Sequence, residues 1–227
     1  MDRFATIKAC LFDAYGTLFD IHSPVGRAAE SLGDKAQAVS QTWRDKQLQY
    51  TWLRSLMRAH ADFWQVTGEA LDYGLDLHGI EDDTIHDKLM QAYLTLDAYP
   101  DAAPALAKLK SAGLKTAILS NGSPRMLAAA IASAGIGDSF DAVLSVEDVG
   151  VYKPDPRVYQ MAVDRFAVGR REICFVSANG WDASGAAHFG FEVAWLNRFA
   201  LAPERLPGEI GTVIAGLDEL PRLLGAG

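Results

Sequence analysis

The sequence has little of several features that define whole classes of protein. It contains two cysteines, Cys10 and Cys174, and no apolar run long enough to cross a bilayer. Basic residues are also in the minority, since 21 lysines and arginines stand against 29 aspartates and glutamates, which gives a net charge of −8 at pH 7. Nucleic-acid binding needs a basic surface. The composition therefore predicts neither a nucleic-acid partner nor a membrane partner.

Both cysteines lie within apolar, strand-like segments. This placement is typical of buried, free thiols in a reducing compartment, and it is favoured over a disulfide or a metal-binding pair. The first residues, MDRFATIKAC, lack a basic stretch followed by a long apolar one, so no signal peptide is predicted. We expect a cytoplasmic protein.

Familiar catalytic motifs are missing as well. The histidines show no HxxxH spacing, so we predict no zinc site. The segment SAGIGDSF (133–140) lacks the third glycine of a dinucleotide-binding loop, and ILSNGSP (118–124) is not the G-x-S-x-G turn of an α/β-hydrolase. The five histidines are His22, His60, His78, His86 and His188.

What the chain does contain is an alternation of strand and helix patterns. Near-continuous apolar runs, typical of strands covered on both faces, alternate with helical patterns that begin near proline or end at glycine. With 49% hydrophobic and 22% charged residues, this alternation predicts a globular α/β protein with a doubly wound parallel sheet. The predicted strands are 7–12, 114–120, 140–145, 171–177 and 191–197, and the predicted helices are 101–113, 123–135, 155–166 and 181–190.

Residues 19–97 interrupt this alternation. They hold no convincing strand but several helical stretches, among them 34–71. The economical interpretation is a helical insertion after the first strand that covers the sheet. We therefore predict a core domain of residues 1–18 and 98–227 and a helical cap domain of residues 19–97.

Polar residues follow the predicted strands directly. Because ligands bind beyond the carboxyl ends of the strands of an open parallel sheet, we expect these side chains to converge on one crevice. Each has an ordinary alternative explanation, since aspartates cap helices, serines end strands and lysines are usually solvated. Their joint placement favours a functional site. The residues are Asp13, Thr17, Ser120, Asn121, Lys153, Ser177, Asn179 and Asp182.

These motifs resemble the haloacid dehalogenase superfamily: Asp-x-x-Gly-Thr after the first strand, then Ser-Asn, Lys-Pro-Asp and a final Asp. Most of its members are magnesium-dependent phosphotransferases in which the first acid is the nucleophile and a second acid stands two residues later. Tyr15 occupies that second position here, and the last motif has Ser177 and Asn179 where phosphatases concentrate carboxylates. Magnesium needs several oxygen ligands of high charge density, and this set supplies it poorly.

The pattern is instead similar to the metal-free branch of the superfamily, the (S)-2-haloacid dehalogenases. The similarity covers nearly the whole chain, including 40–57, 118–124, 151–159 and 175–186. It implies a Rossmann-like core with a helical cap, no metal and no cofactor. It also implies hydrolysis of (S)-2-haloalkanoic acids to (R)-2-hydroxyalkanoic acids and a halide ion through an ester on Asp13, and a homodimer.

The resemblance assigns a role to each site residue. Arg44, Asn121 and Trp181 would hold the halide. Ser120, Lys153 and the backbone N–H groups that follow Asp13, beginning at Ala14, would hold the substrate carboxylate. Asp13 and the hydrolytic water would be fixed by Thr17, Ser177, Asn179 and Asp182, with a hydrogen bond from Tyr159. The apolar side of the substrate would meet Tyr15, Leu48, Phe63 and Trp181.

The residues alone leave alternatives open. Arg44 lies among other basic residues, as solvated helix arginines do, and Tyr159 and Phe63 fit a hydrophobic core equally well. Asp45 stands where that branch often has glutamine, and Gly180 is smaller than usual there, so both departures bear on chain-length preference. The alternative functions are a magnesium-dependent phosphatase or phosphonatase of the same superfamily and a non-catalytic binding protein.

Overall fold

One parallel sheet organises the protein. The computed structural model describes residues 3–27 and 29–226, apart from the side chains of Ala29 and Asp83. Within these residues six strands pair side by side in the order β3-β2-β1-β4-β5-β6. The strands are β1 (Ala9–Phe12), β2 (Lys115–Ser120), β3 (Ala142–Ser145), β4 (Ile173–Ser177), β5 (Glu192–Leu196) and β6 (Thr212–Ile214).

The central strands are buried along their whole length. All residues of β1 and of β4 are buried, which is why these segments are apolar at successive positions rather than at alternate ones. Phe12 pairs with Ile118 of β2 and with Val176 of β4, so the three strands end at nearly the same level. Residues that directly follow these strands therefore lie close together at one edge of the sheet.

Helices fill the chain between β1 and β2. The two long ones, α3 and α4, pack along a buried face of α3 that recurs every four residues: Val39, Trp43, Gln47 and Thr51. A Cβ atom added at Gly74 of α4 would lie 3.7 Å from the backbone nitrogen of Trp43 and 3.8 Å from the carbonyl oxygen of Val39, so the two helices are in close contact at this point. The helices of this cap are α1 (Ser23–Arg27), α2 (Ala29–Leu32), α3 (Ala36–Met57), α4 (Phe63–Leu77) and α5 (Asp83–Tyr93).

The remaining helices belong to the core. Three of them, α7, α8 and α10, have proline at the first or second position, and α7 ends at Gly135 in the left-handed conformation, with φ of 65°. The predicted fold, a doubly wound parallel sheet with a helical cap after the first strand, is confirmed. The core helices are α6 (Ala102–Ser111), α7 (Pro124–Ala134), α8 (Pro156–Phe166), α9 (Gly180–Phe189) and α10 (Leu220–Leu223).

Some features differ from the prediction. Strand β6 and helix α10 were not predicted, because segments of three and four residues carry no readable periodicity. The predicted domain boundaries after residues 18 and 97 fall in the two connections between cap and core, where Phe19 bridges to Ala98, and the boundaries stay a prediction. No helix in the described part of the chain combines the length and the apolarity that crossing a membrane requires.

Candidate active site

Asp13 lies at the centre of the sheet edge. Its backbone N–H donates to the carbonyl of Val176 on β4 at 2.9 Å, which fixes where the side chain begins. Thr17 Oγ1 donates to Asp13 Oδ2 at 3.2 Å and accepts a hydrogen bond from the N–H of Ala178 at 2.8 Å. Gly16 makes the turn between the aspartate and the threonine with φ of 89°. The Asp-x-x-Gly-Thr motif therefore places both side chains at the end of β1.

Lys153 carries the fully buried positive charge of the site. Its side chain is 1% exposed, and Nζ lies 3.2 Å from Asp13 Oδ1 and 2.8 Å from Asp182 Oδ2. Burial lowers the pKa of Lys153, but the charges of Asp13 and Asp182 outweigh burial and raise it above the usual value. The amine is therefore charged at neutral pH and serves as counter-ion to both carboxylates.

Asp182 is the second carboxylate of the site and is fully buried. Its Oδ2 accepts hydrogen bonds from Lys153 and from Ser177 Oγ at 3.2 Å, and its Oδ1 accepts one from the hydroxyl of Tyr159 at 2.8 Å. Burial raises the pKa of Asp182 to about 6, since the attraction of Lys153 offsets burial only in part and the charge of Asp13 adds to it. The hydroxyl of Tyr159 thus contacts the site, while its ring packs in the core against Phe175 and Phe191.

Asn179 connects the core to the cap. Its Nδ2 donates to Asp13 Oδ2 at 2.8 Å and to the carbonyl of Tyr15 at 3.2 Å, while its Oδ1 accepts from Arg44 Nη2 at 3.0 Å. Arg44 Nη1 donates in turn to Gln47 Oε1 at 2.8 Å. Arg44 is therefore a half-buried side chain directed to the site rather than a solvated helix arginine.

Ser120 and Asn121 shape the backbone at the end of β2. Ser120 Oγ accepts from the N–H of Gly122 at 3.0 Å, and Asn121 Oδ1 accepts from the N–H of Lys153 at 3.1 Å. Asn121 therefore holds the segment that carries the buried lysine. Both side chains are buried next to the loop that begins at Asp13, where Ala14 is also fully buried.

An aromatic cluster forms the apolar wall. The ring of Tyr15 lies 5.7 Å from that of Phe63 and 5.5 Å from that of Tyr93, measured between centroids. Burial raises the pKa of Tyr15 well above its usual value, so the phenol stays neutral. Its hydroxyl is buried and has no hydrogen-bond partner among the residues that the structure describes.

Trp181 and Leu48 lie further towards the surface. Trp181 packs edge-on against Trp52 of α3, with 5.4 Å between centroids, and its buried Nε1 has no partner within the described residues. Leu48 is half-buried and lines a surface groove with Asp45 and Trp52. The structure thus places Leu48 beside Trp52, whereas Phe63 lies beside Tyr15. At Gly180, an added side chain would come within 2.9 Å of Glu204.

Sequence reasoning missed three residues of this arrangement: Gln47, Trp52 and Tyr93. Gln47 is 1% exposed and donates from Nε2 to Thr67 Oγ1 at 2.8 Å and to the hydroxyl of Tyr93 at 3.1 Å. A polar residue on the apolar face of α3, three positions after Arg44, was the available signal. Tyr93 offered no such signal, because a tyrosine at the end of a helix usually belongs to the core.

The donor set does not fit a magnesium ion. The ammonium group of Lys153 lies between the two carboxylates, and tyrosine occupies the position of the second acid. Among the described residues, no three histidine, cysteine, aspartate or glutamate side chains are arranged to hold a metal ion. A divalent cation beside Asp13 would meet a fixed positive charge rather than further oxygen ligands.

Comparison with known proteins agrees with this geometry. Residues 7–190 match the model of the haloacid dehalogenase-like hydrolases, and the chain belongs to that family. A curated relative, (S)-2-haloacid dehalogenase 4A of Burkholderia cepacia, is 49% identical over 96% of this chain and 95% of its own. The resemblance to the (S)-2-haloacid dehalogenases predicted from the motifs is thereby confirmed.

Two solved structures are similar throughout. The crystal structure of a dehalogenase matches with a TM-score of 0.95 and 49% identity, covering 96% of this chain and 97% of that one. The L-2-haloacid dehalogenase of Xanthobacter autotrophicus, solved with chloropropionic acid covalently bound, matches with a TM-score of 0.91 and 42% identity over 96% and 98% of the two chains. Cap and core are thus shared with proteins described as dehalogenases.

Proposed function

We propose that this protein hydrolyses (S)-2-haloalkanoic acids to (R)-2-hydroxyalkanoic acids and halide through an ester on Asp13. The observation that carries the proposal is the carboxylate of Asp13, which is paired with the ammonium group of Lys153. Thr17 and Asn179 orient the same carboxylate by hydrogen bonds. A desolvated and oriented carboxylate is a competent nucleophile towards an sp³ carbon.

In the first step an oxygen of Asp13 forms a bond to carbon 2 of the substrate while the carbon–halogen bond breaks. The electron pair leaves with the halide, and attack from the opposite side inverts the configuration. Developing negative charge on the halide needs donors that are already in place. The guanidinium group of Arg44 and the unpartnered Nε1 of Trp181 are suited to this role, as is the side chain of Asn121.

The substrate carboxylate needs donors of its own. We assign it to Ser120, to Lys153 and to the backbone N–H groups at Ala14 and Tyr15. The charges support this assignment, because the ammonium group of Lys153 and the guanidinium group of Arg44 together offset the carboxylates of Asp13 and Asp182, so an incoming anion does not meet uncompensated negative charge.

In the second step water adds to the carbonyl carbon of the ester. The bond from that carbon to the alkyl oxygen breaks, and Asp13 keeps one oxygen from water. Asp182 accepts the proton of the water and returns it to the departing alkoxide. A pKa of about 6 suits a proton acceptor at neutral pH, and Ser177 and Tyr159 orient its two oxygens.

The cellular setting stays a prediction. We propose a cytoplasmic enzyme that forms a homodimer, as the sequence resemblance implies. The two buried free cysteines, Cys10 and Cys174, suit a reducing compartment.

Halide release from (S)-2-chloropropionate in excess EDTA tests the proposal directly. We expect release to be unaffected by the chelator and (R)-lactate to be the product. Loss of activity in EDTA, with turnover of phosphate esters on adding Mg²⁺, would instead support the phosphatase alternative. Absence of turnover on every haloacid would support the binding protein.

The ester route has a separate test. In a single turnover in ¹⁸O-labelled water, the label should enter the Asp13 carboxylate before it reaches the product, and mass spectrometry of the peptide that contains Asp13 locates it. Label that appears only in the hydroxy acid would show direct attack by water on carbon 2 and would overturn the ester intermediate.

A further inference from the structure

A carboxylate of the core binds the cap beside the apolar wall of the site. Glu147 lies in the single turn that follows β3, and its side chain is 19% exposed. Its Oε1 accepts a hydrogen bond from the backbone N–H of Phe63 at 3.1 Å, and His60 Nε2 lies 2.8 Å from its Oε2. Glu147 is therefore held by two residues of the cap that lie 87 and 84 positions away in the chain.

Phe63 is the first residue of α4, and Glu147 completes the hydrogen bonding of that helix end. Asp62 accepts the N–H groups of Trp64 and Gln65, while the N–H of Phe63 goes to Glu147. The first N–H groups of a helix have no partner inside the helix, and the helix dipole favours a negative charge there. The backbone of Phe63 is thus fixed by the core and not by the cap alone.

The position of the Phe63 backbone determines where its ring packs beside Tyr15. Phe63 is 1% exposed, and its ring lies 5.7 Å from the ring of Tyr15 and 6.1 Å from that of Tyr152. Tyr152 contacts the same loop of the cap, since its hydroxyl donates to the carbonyl of Ala61 and its ring lies 5.0 Å from that of His60. Any shift of residues 60–63 therefore moves the ring of Phe63 relative to the ring of Tyr15.

The ring of Tyr15 is also connected to Glu147, through Ser145 and Gly122. The N–H of Glu147 donates to Ser145 Oγ at 3.2 Å, and that hydroxyl donates to the carbonyl of Gly122 at 2.7 Å. A side chain at Gly122 would meet the ring of Tyr15 at 2.6 Å, so Tyr15 rests directly on this glycine. Residues 145–147 are thus hydrogen-bonded both to the backbone of Phe63 and to Gly122, on which Tyr15 packs.

We propose that Glu147 is a positioning residue that sets the width of the pocket for the substrate alkyl group. The proposal rests on the proposed function, because it concerns how that site selects its substrate. Glu147 does not contact the reacting atoms and acts through Phe63. Its loss should weaken binding of substrates with an alkyl group at carbon 2 and should affect chloroacetate, which has none, much less.

Kinetics on matched substrates test this. For Glu147→Ala we expect kcat/KM for (S)-2-chloropropionate, relative to chloroacetate, to fall about fivefold, mostly through KM, because one methyl group in an apolar pocket is worth about 10-fold or more. Glu147→Gln keeps an oxygen that can accept the N–H of Phe63 and should restore the ratio. Glu147→Asp, one methylene shorter, should give an intermediate ratio and replaces the alanine variant if that variant does not fold.

Asp62→Ala is the matched control. It removes two hydrogen bonds from the same helix end but leaves the contact between core and cap in place. It should lower the melting temperature without changing the substrate ratio. An unchanged ratio in Glu147→Ala, or an equal change in Asp62→Ala, would overturn the positioning role.

Amide hydrogen exchange at Phe63 gives a readout that does not need activity. NMR should show faster exchange of this amide in Glu147→Ala and near-normal exchange in Glu147→Gln. If the wild-type protein releases no halide but exchange changes as expected, the proposed function fails while the contact stands. If halide is released and the exchange at Phe63 is the same in all variants, the positioning role fails alone.

Discussion

The core and the cap contribute to the site in different ways. The core supplies Asp13, Lys153, Asp182 and Asn179, which are bound to one another at distances of 2.8–3.2 Å and lie at the ends of paired strands or in the segments that follow them. The cap reaches this network through the guanidinium group of Arg44, held by Gln47. The charges that the reaction needs are thus fixed by backbone pairing, whereas the cap's contribution depends on a long side chain and on where its helices rest.

The largest expected effect lies in the core. Asp13→Asn removes the nucleophile while keeping the shape of the side chain, and we expect kcat to fall by about 10⁴-fold or more. Circular dichroism should show an unchanged fold, and Asp20→Asn in the nearby connection should leave activity intact. Near-normal activity of Asp13→Asn would remove Asp13 from the chemistry.

The next effect tests whether the core depends on its buried counter-ion. Lys153→Met leaves two buried carboxylates without a cation, and we expect a loss of about 3–5 kcal/mol in the free energy of unfolding. The loss should grow as pH rises through about 6, because burial raises the pKa of Asp182 in the folded state and its ionisation without the ammonium group of Lys153 destabilises that state. Denaturant titrations at several pH values measure this.

The control for this variant is an exposed ion pair. Lys115 lies 3.1 Å from Asp141 and its side chain is 61% exposed. Lys115→Met should therefore cost less than about 1 kcal/mol at any pH, because solvent screens such pairs. Equal losses in the two variants would show that burial of Lys153 does not increase its contribution to the free energy of unfolding.

A substitution in the cap should lower activity strongly and stability only slightly. For Arg44→Gln we expect kcat to fall by about 10²–10³-fold, the cost of removing one preorganised donor to a developing anion. Stability should change by less than about 1 kcal/mol, because the side chain is only half-buried. Arg58→Gln, at the exposed end of α3, should change neither quantity. A large loss of stability in Arg44→Gln would show instead that this arginine mainly stabilises the fold.

The hydrogen bond from Tyr159 to Asp182 allows a test of the pH dependence of the reaction. Under the proposed mechanism Asp182 accepts a proton during ester hydrolysis and has a pKa of about 6, so the rate of that step, and kcat where it is limiting, should fall as pH drops through that value. The hydrogen bond from Tyr159 lowers the pKa of Asp182, so Tyr159→Phe should move the acid limb of the profile to higher pH. A limb that stays in place would separate Asp182 from the proton transfer.

The smallest effect concerns the aromatic wall. The buried hydroxyl of Tyr15 has no partner among the described residues, so Tyr15→Phe should leave stability unchanged or raise it by about 1 kcal/mol. Activity on (S)-2-chloropropionate should be close to normal if the ring alone lines the pocket. A marked loss of activity would show that the hydroxyl binds the substrate.

The sequence predicted the site residues of the core better than those of the cap. The strand-end residues of the core were predictable, because parallel strands bring their carboxyl ends to one edge whatever covers the sheet. Arg44 could be assigned only by resemblance, since nothing in the pattern of α3 says which of its basic residues turns inward. The contacts of Glu147 with His60 and Phe63 join distant parts of the chain, and no local pattern carries such a pairing.

The positive charge of Lys153 has a consequence for how the enzyme depends on its surroundings. A site whose charge balance comes from a bound cation is active only when the cell supplies that ion at a sufficient concentration. A side-chain ammonium group is present once per molecule from the moment of folding, and dilution or competing ligands cannot remove it. Under the proposed function, the rate would follow the amounts of enzyme and haloacid and would not vary with the metal supply of the cell.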